Sequence, residues 1–207
     1  MPSGSFSAYH AATRDGGPRK TLVAALDAAA RGAGAPFAGD ALDLGCGTGR
    51  DTAELLRRGW RVLAVDAEAE AIAALRARPE AASAGGRLAT QVARFEAIAL
   101  PRCDLVNSSF ALPLCGAGEF PALWRRIRDA LAPGGRVACQ LFGPRDSFAG
   151  RADPPAIHTR AEVDALLSGL TVEMLDEEET DSVTPRGTAK HWHVFHIVAR
   201  KGIAAPA

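Results

Sequence analysis

The stretch Ala41-Leu42-Asp43-Leu44-Gly45-Cys46-Gly47-Thr48-Gly49-Arg50-Asp51 leads through a helical run into Arg61-Val62-Leu63-Ala64-Val65-Asp66. An apolar run enters three glycines at alternate positions, and a second apolar run stops on an acid. This pattern reads as strand, tight loop, helix, strand. Glycine at 45, 47 and 49 lets the backbone take φ > 0 and approach a ligand without a Cβ in the way. A helix starting near Thr48 turns its free N–H groups and positive dipole end toward the loop, which favours a carboxylate or other anion there. Asp66 lies seventeen positions past Gly49, where an acid in a βαβ unit accepts hydrogen bonds from ribose hydroxyls. The stretch therefore predicts a site for an adenosine-type cofactor.

Two features separate it from a dinucleotide fingerprint. G-x-G-x-x-G needs its third glycine for close helix–strand packing, and here Arg50 holds that position. Asp43 at the strand end would repel a pyrophosphate, but it suits the ammonium of an amino acid, directly or through water. The segment Asp43 to Gly49 together with Asp66 closely resembles the first two motifs of the class I S-adenosylmethionine-dependent methyltransferases. The resemblance implies S-adenosyl-L-methionine as cofactor, bound by Asp43, Gly45, Cys46, Gly47, Gly49, Asp66 and the following Ala67. A nicotinamide or flavin site and a glycine turn that binds nothing are the other readings of the loop.

With 207 residues, one methyltransferase domain is expected, residues 1–39 forming a helical segment or lid and 40–201 a Rossmann-like core. Lys+Arg and Asp+Glu both number 24, so no basic excess favours a nucleic-acid partner. Cys46, Cys103, Cys115 and Cys139 show no C-x-x-C spacing, as expected of reduced thiols in a cytoplasmic protein. No apolar run approaches the ~20 residues of a membrane span. Met1 to Phe6 lacks the basic-then-apolar order of a secretory signal.

Helices are expected over Thr21 to Ala30, Thr48 to Arg58 (closed by Gly59), Glu68 to Arg78 (stopped by Pro79) and Glu119 to Leu131. Thr159-Arg160-Ala161-Glu162 has the pattern of a capping box and opens another. Phe120, Leu123, Trp124 and Ile127 recur at helical spacing and read as core. Strands are expected at 41–45, 61–66, 87–92, 103–108, 136–142, 170–175 and 191–200. Helices alternate with the first five, which predicts an α/β fold: a seven-stranded, mostly parallel sheet with helices on both faces. A polar loop over 182–190 without a helix makes the last strand antiparallel. The turn Leu131-Ala132-Pro133-Gly134-Gly135 is a second point of resemblance to the family.

The resemblance also implies that the opening segment folds over the cofactor. Tyr9 and Arg19 are the residues nominated from it, Arg19 for a methionine carboxylate ahead of Arg14. In the loop Arg94 to Pro101, Glu96 matches an acid that accepts from the adenine amine and Phe95 an apolar cover for the ring; otherwise Phe95 is core and Glu96 surface. Asn107 and Ser108 end the fourth strand, at the edge where ligands of parallel sheets sit, and are candidates for cofactor contact. Asn107-Ser108-Ser109-Phe110 departs from the Asp/Asn-Pro-Pro-aromatic signature of amine-methylating relatives, which argues against an enzyme that holds a flipped base.

Arg145, Asp146 and Ser147 follow the fifth strand on the same edge and are candidates for a substrate rim or a charged surface loop. His191 and His193 share a face of the last strand. A substrate-side role for His191 or His158 stands against a structural one. A zinc site lacks neighbouring ligands at the right spacing, so no metal is expected. The run Asp176 to Asp181 reads as a solvated strand end.

Methyl transfer needs no protein nucleophile, and a base only where the acceptor must lose a proton, so no catalytic residue is assigned. The compact size resembles tellurite-resistance and small-molecule thiol methyltransferases and implies a small-molecule acceptor. The competing readings are a SAM-binding sensor or partner subunit without catalysis, and an NAD-dependent oxidoreductase.

Overall fold

The computed structural model describes residues 16–33, 37–95, 97–183 and 187–203. Helix α1 (Lys20–Ala33) precedes β1 (Asp40–Leu44), α2 (Arg50–Arg57), β2 (Arg61–Asp66), α3 (Ala69–Arg76), the short α4 (Pro79–Ala82) and β3 (Leu88–Val92). Next come β4 (Cys103–Ser108), a 3₁₀ turn at Leu112–Cys115, α5 (Phe120–Ala130), β5 (Leu131–Phe142), α6 (Arg160–Leu167), β6 (Leu170–Val183) and β7 (Ala189–Lys201). One seven-stranded sheet runs in the order β3-β2-β1-β4-β5-β7-β6. Strands β1 to β5 pair in parallel, and β7 is antiparallel to both β5 and β6.

The sheet is buried on both sides, which explains why its central strands read as continuous apolar runs. Neighbouring side chains go to opposite faces. Ala41, Val62, Leu105, Ala138 and Val198 pack with Leu22, Leu26, Leu55, Ile72 and Leu75 of α1, α2 and α3. Leu42, Leu44, Val106, Val137 and Ile197 pack with Phe120, Leu123, Trp124, Ile127, Val163 and Leu167 of α5 and α6. Thr159 caps α6 in a capping box, accepting from the Glu162 N–H while the Glu162 carboxylate accepts from the Thr159 N–H. All four cysteines are unpaired and buried. No helix among the described residues is long and apolar enough to cross a membrane.

As expected, α3 ends before Pro79, at Arg76; Pro79 itself opens α4 at its first turn, where a proline loses no hydrogen bond. Two expectations change. Pairing of β5 begins at Leu131 against Cys103 and shifts register before Leu105, so the proline–glycine turn is absorbed into a longer strand. The acidic run is solvated as expected but is not a strand end: its residues are exposed, while β6 continues to Val183 and β7 starts at Ala189. Carboxylates along β6 meet histidines along β7, with Glu177 at 2.9 Å from His193 Nε2 and Glu178 at 3.0 Å from His196 Nε2. His191 lies 2.8 Å from Asp181 and 3.1 Å from Glu179. Since β6 is the sheet's outer strand, its carboxylates also discourage pairing with another chain.

Candidate functional site

The glycine loop sits at the carboxyl end of β1, between β2 and β4. The N–H groups of Gly45 and Cys46 both donate to the Val65 carbonyl, at 2.8 and 3.1 Å, which ties the loop to the end of β2. Gly45, Gly47 and Gly49 all have positive φ, at 72°, 54° and 81°. A Cβ on Gly45 would lie 2.3 Å from the Ala111 Cβ and 3.6 Å from Cε1 of Phe95, so the segment after β4 presses on the loop and Phe95 flanks it. Asp66 is buried and accepts from the N–H of Gly47 at 2.8 Å and of Glu68 at 2.9 Å, one on each oxygen. Each oxygen keeps a second lone pair for an incoming hydroxyl. Ala67 is exposed beside it.

Behind the loop lies a network that local sequence patterns do not reveal. Thr52 Oγ1 donates to Asp43 at 2.5 Å. The Asn107 amide donates to Asp43 at 2.9 Å and to Asp51 at 3.2 Å. Ser109 Oγ donates to Asp51 at 2.5 Å, and the Arg19 N–H donates to its other oxygen at 3.0 Å. Burial, then repulsion from Asp51, pushes the Asp43 carboxyl up to about 7 against the pull of Thr52 and Asn107. Two carboxylates around one amide form an environment that a cation would relieve. Asn107 Oδ1 is buried with no hydrogen-bond partner, and an ammonium is the kind of donor that would satisfy it. A small cavity of about 40 Å³, lined by Asp43, Gly45, Gly47, Thr48, Asp51 and Ser109, opens at this point. Ser108 is turned away from that cavity, and its hydroxyl donates to the Leu44 carbonyl at 2.7 Å, locking β4 to β1. Cys46 is buried, and desolvation holds its thiol well above the usual range, so it stays neutral.

The donor set fits an amino-acid-bearing nucleoside. The α2 N-terminus has no side-chain cap, leaving its first N–H groups to a carboxylate; Asp66 has acceptors for a ribose, and Asp43 with Asn107 has acceptors for an ammonium. Asp51 and Thr52 are legible as first-turn residues of α2, but nothing local shows that Asp51 turns toward Asn107. Tyr9, Arg14 and Glu96 lie outside the described residues. A cavity of about 780 Å³ lined by residues including Ala28, Phe37, Pro133, Arg136 and Arg200 lies toward the other end of the strands and shares no residue with the loop.

The residues nominated for a substrate rim separate. Asp146 is buried with both oxygens committed: Oδ1 accepts from Lys190 Nζ and from the Phe148 N–H at 2.8 Å, Oδ2 from the His193 N–H at 3.1 Å. It staples the loop after β5 to β7. Arg145 is exposed and paired with Glu179 at 2.7 Å, and His191 is held between Asp181 and Glu179, which raises its pKa. His158 is buried against Phe120, with ring centroids 4.4 Å apart, and desolvation lowers its pKa.

Sequence comparison places the loop in context. A family model described as "Methyltransferase domain" matches residues 41–135. That match takes in the glycine loop but less than half of the chain, and it agrees with the resemblance of the loop to the class I S-adenosylmethionine-dependent methyltransferases. Over 98 residues it is 34% identical to a protein of Methanothermobacter thermautotrophicus named "Probable cobalt-precorrin-6B C(15)-methyltransferase (decarboxylating)", a match covering 47% of this chain and 49% of that one. The chain thus spans about half the length of that curated relative. TehB from Haemophilus influenzae superposes with a TM-score of 0.69 at 18% identity, over 85% of this chain and 61% of that one. Magnesium protoporphyrin IX methyltransferase from Synechocystis PCC 6803, solved with bound SAM, gives 0.67 at 15% identity, over 97% and 92%. These structures share the fold of this chain, whose segment matched by the family model carries the glycine loop, Asp66 and Asn107.

Proposed function

We propose that this chain is a methyltransferase that transfers a methyl group from S-adenosyl-L-methionine to a small-molecule acceptor. The observation that carries the reading is the convergence of a positive-φ glycine loop, the Asp66 carboxylate and the buried Asp43–Asn107–Asp51 network in one place. When bound, the cofactor supplies a methyl group on a sulfonium that any aligned nucleophile can attack. Asp66 takes the ribose hydroxyls, and the N–H groups at the start of α2 take the carboxylate. Asp43 and Asn107 take the ammonium, with Gly45, Cys46, Gly47 and Gly49 forming the cradle. Phe95 covers the adenine face and Glu96 accepts from its amine. The chain's contribution to rate is alignment and exclusion of water, and no side chain is assigned as base.

Residues 1–39 and 40–201 form one domain in this reading, with the part of the opening segment that includes Tyr9 and Arg19 as the cover. Arg19 already meets the site through its backbone bond to Asp51. Small-molecule acceptors are supported by the relatives, whose names specify a cobalt-precorrin and magnesium protoporphyrin IX. Four unpaired buried cysteines suit a reducing compartment such as the cytoplasm. Calorimetry with S-adenosylhomocysteine, followed by its release from SAM over a panel of acceptors, tests the proposal. Binding with turnover is expected. No heat with S-adenosylhomocysteine overturns the site, and binding without turnover on any acceptor makes the chain a sensor or partner subunit.

A further inference from the structure

Phe110 is the one non-glycine residue among those described with positive φ, at 57°. For a bulky side chain this is an outlier that needs outside support. The support is specific and buried: the Phe110 N–H donates to Gln140 Oε1 at 3.0 Å, and Gln140 Nε2 donates to Thr21 Oγ1 at 2.9 Å. Gln140 and Thr21 are both fully buried. The fold therefore commits two interior polar side chains to hold one ring at the carboxyl end of β4, immediately after Ser109, which lines the glycine-loop cavity.

That ring meets others from distant parts of the chain. Trp192 stands edge-on to it at 5.8 Å, Phe142 lies tilted to it at 6.3 Å, and Phe148 lies 6.0 Å from Trp192. Phe110, Phe148 and Trp192 remain half-buried while Phe142 beneath them is closed off. His196 is 6.1 Å from Phe110, and its buried Nδ1 has no hydrogen-bond partner. Cations edge the cluster: the Arg19 guanidinium lies over Phe110 at 4.6 Å from the ring centre, Arg151 over Phe148 at 3.7 Å, and the buried Lys190 against Trp192 at 4.3 Å. The result is a half-buried aromatic floor, rimmed by positive charge and with an unsatisfied polar atom beside it, next to the cavity where the methyl donor belongs.

We infer that this floor receives the acceptor, and that the acceptor is a flat aromatic compound. This rests on the methyltransferase reading above. Aromatic rings offer stacking surface to another flat π-system and little to a compact aliphatic or inorganic ion. The nucleophile's lone pair forms the new bond to the methyl carbon as the carbon–sulfur bond breaks. The bonding pair returns to sulfur and leaves neutral S-adenosylhomocysteine, and the acceptor proton passes to water. Phe110 and Trp192 are specificity-determining residues in this scheme.

Trp60 and Trp124 are buried, with 1% and 4% exposure, so quenching of tryptophan emission by an added ligand reports chiefly on Trp192. The full chain, saturated with S-adenosylhomocysteine, is titrated with 2-naphthol, thiophenol and 4-hydroxybenzoate, and with the aliphatic controls cyclohexanol and 2-mercaptoethanol. At least one aromatic ligand should bind tenfold or more tightly than the controls. Phe110→Leu should cut that preference at least fivefold, and Trp192→Leu should do the same by calorimetry. Equal affinities, a preference for the controls, or no aromatic binding overturns the inference. Failure of S-adenosylhomocysteine to saturate the chain is instead the failure of the parent reading, and the two are separated by the first titration.

Discussion

Gly45→Ala tests how tightly the glycine loop is built. The backbone there has φ of 72°, a conformation that costs a residue with a Cβ about 1–2 kcal/mol. The new methyl would sit 2.3 Å from the Ala111 Cβ, and a methyl fixed directly on the backbone cannot swing away. Overpacking of this kind costs about 1–3 kcal/mol. Together the substitution should destabilise by about 2–5 kcal/mol, a fall in Tm of roughly 4–20 °C for a chain of this size. Adding Ala111→Gly removes the collision and leaves the backbone strain. A double-mutant cycle followed by thermal melting should then return a favourable coupling of about 1–3 kcal/mol. The same cycle followed by S-adenosylhomocysteine titration should show affinity recovering in parallel, because the loop also carries the Gly47 N–H held by Asp66. A coupling indistinguishable from zero would refute the contact between the two loops, and with it the geometry given to the cofactor cradle.

Asp66→Ala should weaken S-adenosylhomocysteine binding by about 1–3 kcal/mol, as expected when a charged acceptor is removed from hydroxyls and N–H groups; unchanged calorimetric affinity would move the ribose elsewhere. Asp43 holds its proton in the folded chain up to about pH 7, while its ordinary value is 3.8. The folded state binds the extra proton between those values, so this group's stabilisation is lost as pH rises through that window, by at most about 1.4 kcal/mol per pH unit. Asp43→Asn should flatten that decline in Tm between about pH 4.5 and 7, and identical slopes in both proteins would contradict it. Lys190 is buried on Asp146, with its ammonium 3.8 Å from the Phe148 ring centre. Lys190→Met should leave an uncompensated buried carboxylate and cost about 3–5 kcal/mol in urea denaturation. A loss below about 1 kcal/mol would mean that Asp146 is neutral or reaches water.

Much of the architecture is legible in the sequence because it is decided locally. Strand β1, the glycine loop, α2 and β2 follow from apolar period, backbone freedom at glycine and an acid at a strand end, all within 26 residues of chain from Ala41 to Asp66. The capping box at Thr159 and the core stripe of α5 are equally short-range, and both lie where the residues indicate. The acidic run departs from the expected strand end because charge reads as a terminus until the opposite strand is known. Its pairing with His191, His193 and His196 depends on a register that no window of β6 alone contains.

The chain's order of residues determined the fold class, the glycine loop and the resemblance to the methyltransferase family, since each depends on patterns that repeat or contrast within a few turns of backbone. Tertiary structure alone decided that Asn107 stands between Asp43 and Asp51, 64 and 56 positions away, and that Asp146 points inward to Lys190 across 44. It also decided that Phe110 is held in a strained conformation by Gln140. Burial and electrostatics act through distance in space, and sheet order with β4 beside β1 and β7 beside β5 sets those distances without leaving a trace in any local stretch.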